Sequence, residues 1–313
     1  MRRRRAKGKH SHYCLLVNRA ASGYDARHIK KLIEGIRGSG GYYTVFEPES
    51  AALLHQTAQR VCGLRPWRRG APQHFARRGK VSALIACGGD GTFNIVAKVA
   101  LKADIPAGML PMGDNNDIAR SLCGVADIDV AIEKILKRSY RKIDTVSVGQ
   151  HFVVGSAGIG LIPEISRMLK KSGRPRFCLG WSSLAAKATA SVKTKKMTVK
   201  IDAFRFEVHP VMLNINLLPY SVTLPFSPAS VVDDRCVEVI LSFEPDAAPL
   251  STFVRQVCRK KHMYGDHVRL YRGTDINIEP LKNVTLFCDG ELVELKETSL
   301  KVTLGERQLK VFC

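Results

Sequence analysis

Along the first half of the chain, short apolar runs alternate with stretches whose apolar residues recur every three or four positions. "YCLLV" (Tyr13–Val17), "YYTVF" (Tyr42–Phe46), "VSALIAC" (Val81–Cys87) and "IPAGML" (Ile105–Leu110) each read as a strand. Between them, Ile29, Leu32, Ile33 and Ile36 fall on one helical face, which predicts a first helix. Leu54, Ala58, Val61 and Cys62 line a second. Phe93, Val96, Ala97, Ala100 and Leu101 line a third, and Ile128, Ala131, Ile132, Ile135 and Leu136 a fourth. Strands that are apolar throughout are buried on both faces. Their alternation with helices predicts an α/β domain with a Rossmann-like, doubly wound parallel sheet.

Beyond Ile143 the texture changes. "TVSVG", "HFVVGS", "KMTVKIDAF", "VMLNINL", "CVEVILSF", "VTLFC", "LVEL" and "LKVTL" are short runs, several of them alternating, separated by turn residues. This predicts an antiparallel sheet or sandwich, interrupted by helices near Leu179–Ala190 and Pro249–Arg259. The change falls near Arg141–Asp144, which predicts an α/β domain over 1–143 and a β-rich domain over 144–297. An exposed edge strand in the second domain offers a route to a homodimer.

With 313 residues, 45% of them hydrophobic, the chain has material for two cores. No apolar run approaches the roughly 18 residues of a membrane-spanning helix. The start, "MRRRRAKGKHSHY", lacks the apolar core of a secretory signal, so export is not expected. Nine cysteines without a C-x-x-C pair argue against a disulfide framework and a zinc site, and for a reducing cytoplasm. The net charge of +21 changes the picture most. Basic residues cluster in the N-terminal tail, in Arg65–Lys80, Arg167–Arg176, Lys187–Lys200 and "RKKH" (Arg259–His262). Such a balance predicts polyanionic company: nucleic acid, an anionic lipid surface touched peripherally, or phosphorylated substrates. Few aromatics interleave with these runs, so no specific nucleic-acid platform is expected. Trp67, among Arg65, Arg68 and Arg69, reads as an interfacial anchor.

Two segments carry candidate chemistry. "GGDGT" (Gly88–Thr92) follows a buried strand and opens a helix. Glycines there let a backbone approach a ligand closely, and the helix N-terminus offers unpaired N–H groups to a phosphate. Read alone, the segment also suits a tight strand-to-helix turn in which Asp90 and Thr92 only cap. "LPMGDNNDIARSL" (Leu110–Leu122) stands at the end of the next strand, and Asn116 or Asp117 can cap the helix that follows. Sheets of this kind bind nucleotides at the C-terminal ends of their strands, which groups the two segments.

Five motifs follow one another: "GGDGTFN", "LPMGDNNDIAR", Asp144 in "KIDTV", "AGIGL" (Ala157–Leu161) and "CDGE" (Cys288–Glu291). Their order and spacing resemble the diacylglycerol kinase catalytic-domain family, which includes bacterial lipid kinases and is similar to the sphingosine and ceramide kinases. The resemblance implies an ATP- and Mg²⁺-dependent kinase whose α/β domain binds ATP and whose β-rich domain holds a lipid substrate, with a C-terminal segment, about 298–313, returning to the first domain. It implies nucleotide contacts from Gly88, Gly89, Asp90, Gly91, Thr92 and Asn94, and from Gly113, Asp114, Asn116 and Asp117. Asn18, Ser22 and Gly23 in "VNRAASG" resemble a further nucleotide loop. Asp90 and Asp144 would form an acidic network. Asp289 and Glu291 would flank the reacting hydroxyl, with Glu291 as proton acceptor; read alone, "DG" is also a favoured hairpin turn. A structural Mg²⁺ would take Asp234 and the backbone of Cys236.

Several positions depart from the family pattern. Asp114 stands for a threonine, Ile95 for a glutamate and Ile162 for an aspartate. In "VVDDRCVEV" (Val231–Val239), Arg235 replaces a glycine and Val231 a carboxylate. An extra carboxylate at Asp114 suggests a cation there, compensating for the altered Asp234 site. Two other readings stay open: a catalytically impaired lipid- or nucleotide-binding protein, and a soluble-substrate kinase similar to NAD kinases, which share "GGDGT".

Overall fold

The structure, a computed structural model, describes residues 11–66, 80–172, 178–192, 195–243, 250–265, 267–281 and 283–313. The basic tail 1–10, Trp67 with most of the Arg65–Lys80 insertion, and parts of the Arg167–Arg176 and Lys187–Lys200 clusters lie outside the described residues.

The chain begins β1 (His12–Val17), α1 (Ala26–Gly38), β2 (Tyr42–Phe46), α2 (Ala51–Val61), β3 (Ala83–Gly88) and α3 (Asp90–Ala103). It continues with β4 (Ala107–Pro111), α4 (Asp117–Cys123), α5 (Ile128–Lys137), β5 (Tyr140–Ile143), β6 (Val146–Val148), β7 (His151–Val153) and β8 (Ser156–Gly160). Next come α6 (Leu161–Ser172), α7 (Cys178–Ser191), β9 (Met197–Ile201), β10 (Phe204–Val208), β11 (Met212–Asn216) and β12 (Val237–Ser242). The last elements are α8 (Leu250–Cys258), β13 (Val268–Gly273), β14 (Asp275–Glu279), β15 (Val284–Cys288), β16 (Glu291–Leu295), β17 (Leu300–Leu304) and β18 (Leu309–Phe312). The described residues form two compact units: 1–114 with 127–141 and 309–313, and 115–126 with 142–308.

The first unit is built on a sheet of order β2-β1-β3-β4-β18-β5, with parallel pairing from β2 through β18. β1 and β3 are buried at every position, which is why their sequences are apolar throughout rather than alternating. Polar residues start the helices where the pattern switches period. Asp25 accepts from Arg27 N at 2.8 Å, Ser50 from Leu53 N at 3.2 Å, and Asp127 from Asp129 N at 2.8 Å. Leu32 and Ile36 of α1 and Ile132 and Ile135 of α5 then join Leu15, Val17 and Ile85 in one core.

The second unit is antiparallel, as the alternating runs predict. One sheet has the order β10-β9-β14-β17-β6-β7, the other β13-β12-β11-β8-β15-β16. Val199, Ile201, Ile276 and Val302 of the first meet Leu213, Ile215, Val237 and Val239 of the second in a sandwich core. The second sheet is covered on its other face too: Met212, Ile240 and Phe287 join Ile162 and Ile165 of α6, Trp181 of α7 and Phe253 of α8. Helix α6 has no counterpart among the predicted elements, because its first turn reads as part of an apolar run and its last as a basic cluster. Ile162, where the family pattern carries an aspartate, is fully buried in this apolar layer.

The "RKKH" cluster also needs correction. Arg259, Lys260 and Lys261 are exposed, but His262 is fully buried, its Nε2 2.7 Å from the Phe226 carbonyl and its ring edge-on to Phe226 and Phe253. Burial lowers its pKa below the ordinary 6.5. The unfolded chain therefore takes up a proton that the folded chain refuses, so this contribution is complete above about pH 6.5 and declines as pH falls below it. The urea midpoint of the second unit is expected to drop between pH 7 and pH 5, and His262→Gln to flatten that slope.

Candidate active site

In the first unit, three loops meet at the C-terminal ends of adjacent strands. β3 runs out at Gly88, Gly89 is the N-cap of α3 without a side-chain capping bond, and Asp90 begins the helix. A Cβ on Gly89 would stand 3.0 Å from the Gly113 Cα, tighter than nearly all Cβ contacts, so a side chain there would press the two backbones apart. Met112 N donates to Gly88 O at 3.0 Å, and Gly23 N to Met112 O at 2.9 Å. Asn18 N donates to Cys87 O at 2.9 Å while its side-chain Nδ2 reaches Thr92 Oγ1 at 3.2 Å. Asn18, Gly23, Gly88, Gly89, Thr92 and Gly113 are thus held in one set of contacts. Asp90 and Thr92 are buried in the first turn of α3, with Gly91 and Asn94 beside them. Ser22 and Asp114 are exposed. Backbone N–H groups at a glycine-flanked helix start suit the oxygens of a phosphate.

Asn116 and Asp117 belong to the second unit. Asn116 is the N-cap of α4 and makes no side-chain capping bond. Asn116 takes a left-handed φ of 52°, and the Asp117 carboxylate accepts from Thr223 N, 3.0 Å from both oxygens. Arg120 lies 5.6 Å over the Tyr220 ring and donates to Asn115 O at 3.1 Å, and Tyr220 N donates to Ser121 Oγ at 3.3 Å. The "NNDIAR" segment is therefore clamped to the loop that joins β11 to β12.

The "DG" reading as a hairpin holds alongside its chemistry. Asp289 and Gly290 have φ values of 42° and 93°, and Cys288 pairs with Glu291 across the turn. The buried Asp289 carboxylate accepts from Val154 N at 2.7 Å and from Gly155 N and Ser156 N at 2.9 Å each. Three backbone donors fix it as an anchor. Glu291 is exposed at the start of β16. Burial, with the charges of Asp289 and Glu291 close by, pushes the Cys288 thiol up and keeps it protonated.

Asp144 is buried and fully engaged. It accepts from Arg235 N at 2.7 Å, Arg235 Nη1 at 3.1 Å and Gln308 Nε2 at 3.1 Å, while Arg235 Nη2 donates to Gly305 O at 2.7 Å. Arg235 has a φ of 60°, the left-handed conformation that glycine takes freely. Asp234 pairs with Arg272 through one oxygen and accepts from Cys236 N at 3.1 Å through the other. This donor set does not fit a structural Mg²⁺, because guanidinium and N–H groups already hold the carboxylate oxygens. Among the described residues, no group of three or more His, Cys, Asp or Glu side chains could hold a metal ion.

Sequence reasoning missed a buried polar row on the helix-covered face of the second sheet. Register places Ser156 of β8 opposite Asn216 of β11, and Asn216 opposite Glu238 of β12. Ser156 Oγ bonds Ser221 Oγ at 2.9 Å, Ser227 Oγ bonds Glu238, and Asn214 Nδ2 donates to Asn216 Oδ1 at 3.0 Å. The one available signal was two asparagines at i, i+2 within an otherwise apolar run, "VMLNINL".

Residues 12–148 match the family model of the diacylglycerol kinase catalytic domain. A diacylglycerol kinase of Staphylococcus aureus (strain bovine RF122 / ET3-1) is 26% identical over 217 residues, covering 66% of this chain and 67% of that protein. The crystal structure of a diacylglycerol kinase from Bacillus anthracis str. Sterne covers 98% of both chains, at a TM-score of 0.69 and 16% identity. An NAD kinase from Archaeoglobus fulgidus in complex with ATP covers 96% of this chain and 93% of its own, at a TM-score of 0.50 and 12% identity. At such identities the structural likenesses speak for the fold.

Proposed function

We propose that this relative of the diacylglycerol kinases is a lipid kinase, transferring the γ-phosphoryl group of ATP to the hydroxyl of diacylglycerol or a similar lipid alcohol. One observation carries the reading: the close backbone approach of Gly89 to Gly113, at a helix start suited to phosphate, lies inside the span 12–148 that matches the diacylglycerol kinase catalytic domain. The loops at Asn18, Gly23, Gly88–Asn94 and Gly113 hold the nucleotide phosphates through backbone N–H groups. Asp289 orders the backbone at Val154–Ser156, and Glu291 accepts the proton of the attacking hydroxyl while its oxygen bonds phosphorus and ADP leaves. Transfer takes place at an anionic membrane surface, which the net charge of +21 favours at about 1 kcal/mol per basic residue near the lipid. Among the described residues no helix is long and apolar enough to cross a membrane.

The test supplies γ-labelled ATP with diacylglycerol in phosphatidylglycerol vesicles or, separately, with NAD. Label in the lipid, at a rate that falls as salt is raised, is the expected result. Label in NAD alone would overturn the reading in favour of a soluble-substrate kinase, and label in neither would favour a binding protein.

A further inference from the structure

The loop between β11 and β12 contains a turn that combines three unusual features. Val222 and Thr223 have φ values of 45° and 67°, a left-handed conformation that β-branched residues avoid. Ser221 and Leu224 close the turn by exchanging backbone hydrogen bonds of 2.9 Å each. It is also gripped from both sides. Both Asp117 oxygens hold Thr223 N at 3.0 Å, Ser221 Oγ meets Ser156 Oγ at 2.9 Å, and Ser156 N donates to Asp289 at 2.9 Å. Val222 is fully buried in the apolar layer beneath α6, α7 and α8. Finally, Thr223 is 3% exposed and its Oγ1 has no hydrogen-bond partner.

A valine at 223 would occupy the same volume without burying a hydroxyl, and a glycine or asparagine would relieve the backbone. The chain keeps an unpaired hydroxyl at a strained position, and fixes it through the very carboxylates, Asp117 and Asp289, of two separate motifs. Strained backbone clusters at active sites and ligand clamps, and a buried polar atom without a partner calls for a functional or solvent explanation. We propose that Thr223 contacts the substrate, its Oγ1 hydrogen-bonding the polar head of the lipid alcohol, and that the Ser221–Leu224 turn is the element that positions it. The inference rests on the lipid-kinase reading and adds a specificity residue to it.

Dioctanoylglycerol, a short-chain diacylglycerol, allows binding to be measured by calorimetry without turnover. Thr223→Val is expected to raise the dioctanoylglycerol Kd, and the KM for lipid, about tenfold, since a lost substrate hydrogen bond is worth that much. The KM for ATP should stay unchanged and the thermal midpoint should hold or rise. Thr223→Ser should restore the wild-type Kd. If the valine variant does not fold, comparison of Thr223→Ala with Thr223→Ser asks the same question. A hydroxyl-free variant that binds dioctanoylglycerol with wild-type Kd would overturn the proposal, as would a wild-type protein that does not bind it. Wild-type binding without phosphoryl transfer would overturn the kinase reading and leave this contact standing.

Discussion

Glu291→Gln is expected to lower phosphoryl transfer to diacylglycerol by about 10²–10⁴-fold, the usual worth of a positioned general base. The thermal midpoint and the KM for ATP should be unchanged. The contrast with its neighbour makes the case. Asp289 has its carboxylate held by three backbone donors at 2.7–2.9 Å, which fix it as a structural anchor against Val154–Ser156. Glu291, two residues on, is exposed and opens β16 from a hairpin whose geometry Asp289 and Gly290 set. Glutamine keeps the size and exposure of the side chain and removes only its capacity to take a proton. Asp289→Asn should behave differently: it weakens the anchor under Val154–Ser156, so transfer and the thermal midpoint should fall together. Steady-state kinetics on lipid micelles, with a thermal melt of each variant, separates the two. Wild-type kcat in Glu291→Gln would remove Glu291 from the chemistry.

The hydrophobic pattern was enough to read the architecture where one period dominated. β1 and β3 are apolar because both sides of the parallel sheet are covered, and β9 alternates because one side meets the sandwich core. It failed at α6, where Leu161, Ile162 and Ile165 face a layer supplied by α7, α8 and β12, which no local window contains. The "GGDGT" loop was legible because glycine before a helix leaves a compositional mark. Asp117 was not: its position suggests a cap, yet the left-handed Asn116 turns it toward a backbone N–H 106 residues away. The same holds for Thr223 and for the Ser156–Asn216–Glu238 row. Their meaning depends on strand register and on the helices above the sheet, and both are set by long-range packing. Resemblance to a family named Asp144 and Asp234 as functional carboxylates, but could not say that arginines would hold them.

Those arginines lead to the second large effect. Arg235→Ala is expected to destabilise the second unit by about 3 kcal/mol, the lower end of the cost of stranding one member of a buried ion pair. The Asp144 side chain is 1% exposed and that of Arg235 is 42% exposed, so solvent already screens part of the pair. What remains after the substitution is a buried carboxylate with only the Arg235 backbone N–H and Gln308 to hold it. The Gly305 carbonyl also loses its donor, Arg235 Nη2. Arg235→Lys should fall between, since an ammonium keeps the charge but not the fork that reaches Asp144 and Gly305 together. Arg235→Gly should lose less than Arg235→Ala by about 0.5–1 kcal/mol, because glycine relieves the left-handed backbone. Urea midpoints at constant m-value measure all three, and the order Gly above Ala is the sharper part of the prediction. Equal midpoints for wild type and alanine would mean that Asp144 is held by its backbone and Gln308 bonds alone, and that the guanidinium is incidental.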